Sequence, residues 1–200
     1  MNWQILWQTL HLIPPANLLA ELQTAYAQSQ RYYHTQQHLQ ECLTLLTEVE
    51  HLAAQPAELA LALYFHDAIY DHQAYDNEAK SAAWAERVLT QCHASLTLVQ
   101  RIKQLIMATQ HHQIAADDND GQLLLDIDLA ILGQEPTRFN EYEQQIRQEY
   151  LWVSEQDYRV GRAKVLTEFL QRKAIYQSDY FRKRFEQQAR LNLSKQTRVL

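Results

Sequence analysis

The sequence contains little glycine and little proline, with three glycines and four prolines in 200 residues. Both fall far below their average share in globular proteins. Because these residues punctuate tight turns and hairpins, their scarcity argues against a fold of many short strands. The abundant residues are alanine, leucine, glutamine and glutamate, which are strong helix formers. We therefore predict an all-α fold, a helical bundle joined by short loops.

Cysteine and long apolar stretches are also scarce. The two cysteines, Cys42 and Cys92, lie in segments with helical patterns and fit a reduced compartment with buried or idle thiols. No apolar run approaches the roughly 20 residues that cross a membrane. The first fifteen residues lack the basic region and the small-residue cleavage site of a secretion signal. We therefore expect a cytoplasmic protein without a membrane span.

The length of the chain allows one large domain or two small ones. We find no linker, no internal repeat and no low-complexity segment. These observations favour a single helical domain over residues 1–200. We place its core at about 30–133 and expect the C-terminal helices, 136–200, to pack on that core.

The charge of the chain is unevenly distributed. The net charge is -6, yet Arg172 to Leu200 carry eight basic and two acidic residues and therefore +6. The remaining residues carry about -12. A basic tail can recruit an anion or a nucleic acid, or it can form a solvated helix face packed on an acidic body. The acidic body makes nucleic acid the least favoured partner.

The stretch from Leu59 to Asp71 carries the clearest chemical signal. Its first seven residues have no polar face, so they form an element buried on all sides, and Pro56 and the flanking composition favour a helix over a strand. The run ends in His66 and Asp67. Burying an unpaired charge costs several kcal/mol, so we expect compensation. A divalent metal ion would use both groups as ligands; alternatively, they cap the helix or pair with each other.

A third polar residue, His38, faces a predicted helix interior. Thr35 is a good N-cap for a helix whose apolar stripe includes Leu39 and Cys42. His38 precedes Cys42 by four residues and therefore faces the same interior. Taken alone, His38 is a hydrogen-bonded core histidine or a metal ligand, and its companions favour the ligand.

The apolar run 123–132 contains two acidic residues and ends at Gly133, which we predict as the helix stop. Because residues two apart point to nearly opposite sides of a helix, only one of Asp126 and Asp128 faces the centre, where it needs a cation. With the groups described above, the site would hold two imidazoles and two carboxylates. Such a set leaves positions for water and substrate, which is typical of a catalytic metal.

Two further histidines lie at the end of the predicted helix that precedes the run 123–132. Ser95 is the predicted cap of that helix, and His111 and His112 follow its last turn. The following residues, 113–122, are rich in Asp and Asn and read as an exposed loop. Either one of these histidines takes part in the chemistry at a helix end that faces a cleft, or both are solvated loop residues.

Six short patterns distributed over nearly the whole chain occur together. They are Tyr33-His-Thr-x-x-His38, Phe65-His-Asp-Ala-x-Tyr-Asp71, Asp76-Asn-Glu78 followed by Ser81, Leu125-Asp-x-Asp-Leu-Ala-Ile-Leu-Gly133, Ile146-Arg-x-Glu-Tyr150 and Ala189-Arg-x-Asn-Leu193. The order His, His-Asp, Asp on helices resembles the HD superfamily of metal-dependent phosphohydrolases. The combination is similar to one bacterial branch, known mainly as predicted HD phosphohydrolases. The resemblance implies an HD-type bundle with the metal site between central helices.

The resemblance also implies roles for individual residues. The implied metal ligands are His38, His66, Asp67 and Asp128. Asp126 and Glu78 would support the site without binding metal, Asp126 as a helper or as a buried salt-bridge partner. His34 matches the histidine that protonates the leaving oxygen in related cyclic-nucleotide phosphodiesterases, and Asp71 matches a water-orienting acid of alarmone hydrolases. Tyr70 stands where those hydrolases have Glu, so alarmone hydrolysis is not specifically implied.

The implied activity is hydrolysis at phosphorus of a small anionic phosphorylated metabolite, with a nucleotide as the favoured class. The cofactor would be a divalent Mn, Mg, Co, Ni, Fe or Zn ion, and His111 or His112 would hold a second ion or a phosphate oxygen. The cations assigned to phosphate, each with a surface ion pair as its alternative, are Lys80, Arg147, Arg162 and Arg190. The competing hypothesis is a non-catalytic metal- or nucleotide-binding sensor or partner-recruiting module. A homodimer is left open.

Overall fold

The structure of the chain is a computed structural model that describes residues 2–200. Within this range the chain forms ten α-helices and two short 3-10 segments, without a β-strand. The prediction of an all-α fold is confirmed. Met1, the first residue of the predicted domain, lies outside the described residues. No helix in the described range combines the length and the apolar character that a bilayer crossing requires.

The helices follow one another with short connections. Their bounds are α1 (Trp3–Thr9), α2 (Leu18–Tyr26), α3 (Gln36–Val49), α4 (Pro56–Phe65), α5 (Asn77–Gln91), α6 (Leu96–Thr109), α7 (Asn119–Asp128), α8 (Pro136–Glu149), α9 (Glu155–Gln171) and α10 (Asp179–Gln196). The 3-10 segments are Glu50–Leu52 and Leu129–Gly133.

The contacts of the backbone divide the chain into two units, Met1–Ile127 and Asp128–Leu200. The boundary lies inside α7, between its ninth and tenth residues, so the continuous helix carries Asp128 as its last residue. The expectation of a single domain stays a prediction.

The first unit is built around α4, which packs against α1, α3, α5 and α6. Every residue from Leu59 to Leu63 is inaccessible to solvent, and so is Phe65. A helix that is surrounded on all sides needs no polar face, which explains the unbroken apolar sequence. Full burial of each leucine side chain contributes about 1.5–3 kcal/mol. Pro56 occupies the first turn, as predicted.

Four helix starts carry side-chain caps, each of which stabilises its helix by about 0.5–2 kcal/mol, and the predicted caps Thr35 and Ser95 are confirmed among them. The hydroxyls of Thr35, Ser95, Ser154 and Ser178 accept from the N–H groups of Gln37, Leu98, Asp157 and Phe181, respectively. The start of α5 differs. Asp76 holds the N-cap position without a capping hydrogen bond from its side chain, and the Asn77 amide bonds to the backbone of Asp71.

Only the first seven residues of the stretch from Leu59 to Asp71 are helical, so a helix that continues to Asp71 would be too long. The α4 helix ends at Phe65, and His66 is its C-cap. The residues that follow form a turn whose backbone bonds to side chains of α5, since the N–H of Ile69 donates to the Ser81 hydroxyl over 3.0 Å. These tertiary hydrogen bonds replace the helical ones and turn the chain away from the α4 axis.

The predicted boundaries of α7 are also wrong. The helix begins at Asn119, so the preceding loop is shorter than the predicted 113–122. Its first turn is fixed by the Asp120 carboxylate, which accepts from the N–H groups of Ala54 and Gln55 over 2.8 Å each. The α-helix then stops at Asp128, before the 3-10 segment.

The second unit places its 3-10 segment against α10 and α8. The Tyr176 hydroxyl donates to the carbonyl of Leu129, and the Asn192 amide donates to that of Leu132. Gly133 ends the segment without a positive φ angle, so it is not a left-handed helix stop. A Cβ at this position would lie 2.6 Å from the Cβ of Phe185, so the close approach of α10 requires glycine here.

Candidate metal centre

The two central histidines are positioned by helix ends in the first unit. His38 is the third residue of α3, and His66 caps α4; their exposed fractions are 2% and 1%. The Nδ1 atom of His66 lies 2.8 Å from the carbonyl oxygen of Leu63. A carbonyl oxygen can only accept, so Nδ1 carries the hydrogen and, in the neutral ring, the lone pair is on Nε2. Metal-binding histidines are commonly oriented by such a bond.

The Nε2 atoms of His38 and His66 lie 3.1 Å apart. Two neutral rings with both lone pairs directed at each other would repel at this distance. The pair is therefore stable when a proton or a metal ion lies between the nitrogens. A hydrogen bond from His38 to His66 would satisfy the histidines alone, but it would leave the neighbouring carboxylate to be explained.

Asp67 supplies that carboxylate. Its Oδ2 atom lies 3.1 Å from Nε2 of His66 and 3.5 Å from Nε2 of His38, and the side chain is 15% exposed. Burial by itself raises the pKa of Asp67, but its electrostatic interactions with His66, His34 and His38 and its hydrogen bond to His66 outweigh burial and hold the pKa well below its usual range. The carboxylate is therefore ionised at neutral pH, and three electron-pair donors converge.

Two further donor side chains lie close to the two histidines, in a group that does not include Asp67. The thiol of Cys42 and the carboxylate of Asp128 offer ligand atoms that lie, with those of His38 and His66, all within 4.8 Å of one another. Asp128 is half-buried at the end of α7, whereas Asp126 in the same helix is fully buried. Nitrogen, carboxylate and thiol donors together fit a divalent ion of borderline softness.

Cys42 is the donor that sequence reasoning missed. It lies one turn after His38 on α3, and its Sγ atom is 3.8 Å from both ring nitrogens of that histidine. The spacing of four residues was visible in the sequence, but a cysteine on an apolar stripe reads equally well as a packing residue.

His34 lies beside this cluster on the turn that precedes α3. Its ring is half-buried, stacks on Tyr70 at 4.1 Å and lies 6.1 Å from the ring of His38. The ring is therefore near the cluster without belonging to it, and its role as a proton donor stays a prediction.

Arg31 joins the two loops that carry these groups. It is 5% exposed, and Nη1 donates to the carbonyl of His34 over 3.0 Å and to that of Asp67 over 2.6 Å. Its Nη2 donates to the carbonyl of Ala68 over 3.0 Å. The guanidinium thus fixes the loop before α3 to the turn after α4. Sequence reasoning missed Arg31, because a bond across 36 residues leaves no local pattern.

The turn after the cluster involves both Asp71 and Glu78. Asp71 is exposed, and its carboxylate accepts from the N–H of Gln73 over 2.9 Å. Its backbone is held on both sides by the Asn77 amide. Glu78 is half-buried in the first turn of α5. The carboxylate of Asp71 therefore has a local turn-forming role, and its catalytic role stays a prediction, as does the supporting role of Glu78.

His111 and His112 lie in the turn after α6, the first exposed and the second half-buried with a φ of 50°. Neither belongs to the group of side chains that could hold a metal ion among residues 2–200. The four cations assigned to phosphate are engaged in ion pairs. Lys80 pairs with Asp76, Arg147 with Glu155, Arg162 with Glu143 and Arg190 with Glu186. The pairs of Lys80, Arg147 and Arg190 agree with the surface ion pair given as their alternative, whereas the pair of Arg162 is buried. Phosphate binding stays a prediction.

The chain was compared with known proteins by sequence and by structure. A scan against protein-family models gives no match, and neither a search of curated proteins nor a search of solved structures returns one. The candidate centre therefore rests on its own geometry: an all-helical scaffold with a buried cluster of His38, Cys42, His66 and Asp128 that could hold a metal ion.

Proposed function

We propose that the protein is a metal-dependent phosphohydrolase of the HD type that acts on a small phosphorylated metabolite, with a nucleotide as the favoured class. The observation that carries the proposal is the convergence of His38 Nε2, His66 Nε2 and Asp67 Oδ2, with separations of 3.1 to 3.5 Å. Asp128 completes the two-histidine, two-carboxylate set that the resemblance implies.

Each residue of the site has a distinct task in this proposal. His38, His66, Asp67 and Asp128 hold the divalent ion, which supplies charge neutralisation for phosphate oxygens and activation of water. The Leu63 carbonyl keeps the His66 lone pair directed at the centre. His34 donates a proton from its ring to the leaving oxygen, a step that contributes about 10²–10⁴-fold to the rate. Arg31 holds the loops of His34 and Asp67 at a fixed separation.

The test is phosphate release by protein purified without chelator. We expect activity on part of a panel of nucleoside mono-, di-, tri- and cyclic phosphates when Mn²⁺, Co²⁺, Ni²⁺ or Mg²⁺ is added. Asp67→Asn keeps the shape of the side chain and should abolish this activity. The matched control is Asp117→Asn, an exposed loop position outside the site. If the wild-type protein releases no phosphate from any member of the panel with any of these metals, the proposal is contradicted.

A second candidate is a metal- or nucleotide-binding module without turnover. It is favoured by the ion pairs of Lys80, Arg147, Arg162 and Arg190, which engage the cations predicted for phosphate. This candidate predicts a ligand that survives purification, together with phosphate release no faster in the wild type than in His66→Ala. The control His51→Ala changes an exposed histidine elsewhere in the same unit.

A further inference from the structure

Tyr70 lies in a turn whose backbone is held on both sides by α5. The N–H of Ile69 donates to the Ser81 hydroxyl over 3.0 Å. The N–H of Asp71 donates to the Asn77 side-chain oxygen over 3.0 Å, and the Asn77 amide donates to the carbonyl of Asp71 over 2.9 Å. The side chains of Asn77 and Ser81 are both buried. These two residues therefore fix the backbone position of Tyr70.

The ring of Tyr70 covers a face of the His34 imidazole. The two ring centroids lie 4.1 Å apart, with 26° between the planes. Tyr33 and His38 meet the same imidazole edge-on, with centroids at 5.0 and 6.1 Å. The side-chain torsion that turns an imidazole about its long axis is broad, so neighbours decide the orientation of the ring. A flat partner resists this rotation, because turning the ring would separate the two faces.

Arg31 holds the Tyr70 ring from within the same part of the chain. Its Cζ atom lies 5.5 Å from the centroid of the Tyr70 ring and 5.2 Å from that of Tyr26, both within the range of a cation–π interaction. Tyr26 is buried, and its hydroxyl accepts from the N–H of Asp67 over 3.3 Å. The ring that stacks on His34 thus contacts a guanidinium that is itself fixed.

We propose that Tyr70 is a positioning residue, whose ring holds the His34 imidazole in the orientation from which it transfers a proton. The inference rests on the proposed function, in which His34 protonates the leaving oxygen. Proton transfer requires the donor nitrogen to lie about 2.6–3.2 Å from the receiving oxygen. A ring that is free to turn spends only part of its time in that orientation. Loss of the stack should therefore lower kcat and leave substrate binding and metal affinity unchanged.

The experiment compares phosphate release by metal-loaded, full-length Tyr70→Phe and Tyr70→Leu. Phenylalanine keeps the flat face, whereas leucine keeps only apolar volume. Tyr70→Leu should lower kcat roughly 10-fold, the upper end of what one aromatic pair contributes, with KM and the metal Kd unchanged. Tyr70→Phe should keep the wild-type kcat. The matched control is Tyr75→Leu, which changes a 92% exposed tyrosine in the same connection between α4 and α5.

A double-mutant comparison separates positioning from a general loss of structure. In a His34→Gln background, Tyr70→Leu should lower kcat no further, because the side chain that Tyr70 positions is gone. The same loss in both backgrounds would overturn the inference. Tyr70→Phe as slow as Tyr70→Leu would also overturn it, because the hydroxyl and not the stacked ring would then be responsible.

Histidine NMR distinguishes failure of this inference from failure of the proposed function. The ring protons of His34, assigned with His34→Gln, should be shifted upfield by the Tyr70 ring and should lose this shift in Tyr70→Leu but not in Tyr70→Phe. If the wild type releases phosphate and these protons resonate where an unstacked histidine does, the inference is overturned and the enzyme stands. If the stack is present and no phosphate is released, the proposed function fails and the positioning role fails with it.

Discussion

Two buried polar clusters in this molecule satisfy their charges in different ways. In the second unit, the Arg–Glu–Tyr cluster consists of Arg162, Glu143 and Tyr142. Arg162 donates from Nε to one Glu143 oxygen over 3.2 Å and from Nη2 to the other, and also donates to the Tyr142 hydroxyl over 2.8 Å. Burial alone lowers the pKa of Arg162, but its two partners raise it well above its usual range. This cluster contains its own cation and its own anion.

The His–Asp cluster of His38, His66 and Asp67 has a different composition. It brings an anion and two nitrogens together at 3.1 to 3.5 Å. Its charge is matched only when a proton or a metal ion is added to these groups. The comparison shows that burial of charged groups does not by itself indicate a functional site. The chemical kind of the groups that face each other separates a structural ion pair from a centre that takes a ligand.

The largest expected effect on stability comes from removing the negative charge of the Arg–Glu–Tyr cluster. Glu143→Gln leaves the Arg162 charge buried without its anion and should lower the free energy of unfolding by about 3–5 kcal/mol. Urea denaturation followed by circular dichroism measures this loss. The control Glu141→Gln changes a neighbour that is 49% exposed and pairs with Arg138, and it should cost less than about 1 kcal/mol. Equal costs for the two variants would remove the basis of the comparison.

A divalent metal ion should stabilise the protein by binding at the His–Asp cluster and not at the Arg–Glu–Tyr cluster. Addition of a binding divalent ion at 100 times its Kd should stabilise the wild type by about 2.7 kcal/mol, because only the folded chain presents the site. His66→Ala should lose this stabilisation, whereas His51→Ala should keep it. Thermal unfolding with and without metal makes the measurement. A metal-induced shift that persists in His66→Ala would place the binding elsewhere.

Arg31 should affect the His–Asp cluster without being part of it. Arg31→Lys keeps the charge but cannot reproduce the three carbonyl bonds, so we expect metal affinity to fall by roughly 10–100-fold. The exposed Arg87→Lys is the matched control. Isothermal titration with Zn²⁺ and Co²⁺ measures the affinity. An unchanged affinity in a correctly folded Arg31→Lys would show that the loops are fixed without the guanidinium.

The smallest effect concerns another ion pair, in which Arg101 donates to both carboxylate oxygens of Asp118 over 2.5 and 2.7 Å. This hydrogen bond lowers the pKa of Asp118. A lowered carboxyl pKa stabilises the fold above the ordinary value of about 4, and the stabilisation disappears as the pH falls through the lower folded value. At pH 7 the free energy of unfolding of the wild type should exceed that of Asp118→Asn by about 1 kcal/mol. The difference should disappear below pH 4. A stability difference that increases on acidification would contradict the lowered pKa of Asp118.

Local signals made much of the fold predictable. The caps Thr35 and Ser95 act on N–H groups two or three residues away, so their sequence neighbourhood contains the whole interaction. The burial of α4 followed from its missing polar face. The end of α4 was not predictable in the same way, because the bond from Ile69 to Ser81 crosses twelve residues and belongs to the tertiary structure.

The residues of the candidate site were likewise predictable where the signal is local and not predictable where it depends on tertiary contacts. Placing His38 on a buried helix face required only helical periodicity, and the burial of His66 followed from the apolar run that it ends. The role of Arg31, whose bonds reach carbonyls 36 and 37 residues away, required the folded chain. Arg162 illustrates the converse. Its sequence position allowed phosphate binding, but a carboxylate 19 residues away on α8 holds it.

Metal analysis of the protein purified without chelator tests the central claim most directly. The account predicts at least one tightly bound divalent ion per wild-type chain and none in His66→Ala that folds like the wild type. A wild-type chain that takes up no divalent ion, either during expression or on titration with Zn²⁺, Co²⁺, Mn²⁺ or Mg²⁺, would contradict the account and reduce the His–Asp cluster to a proton-sharing core.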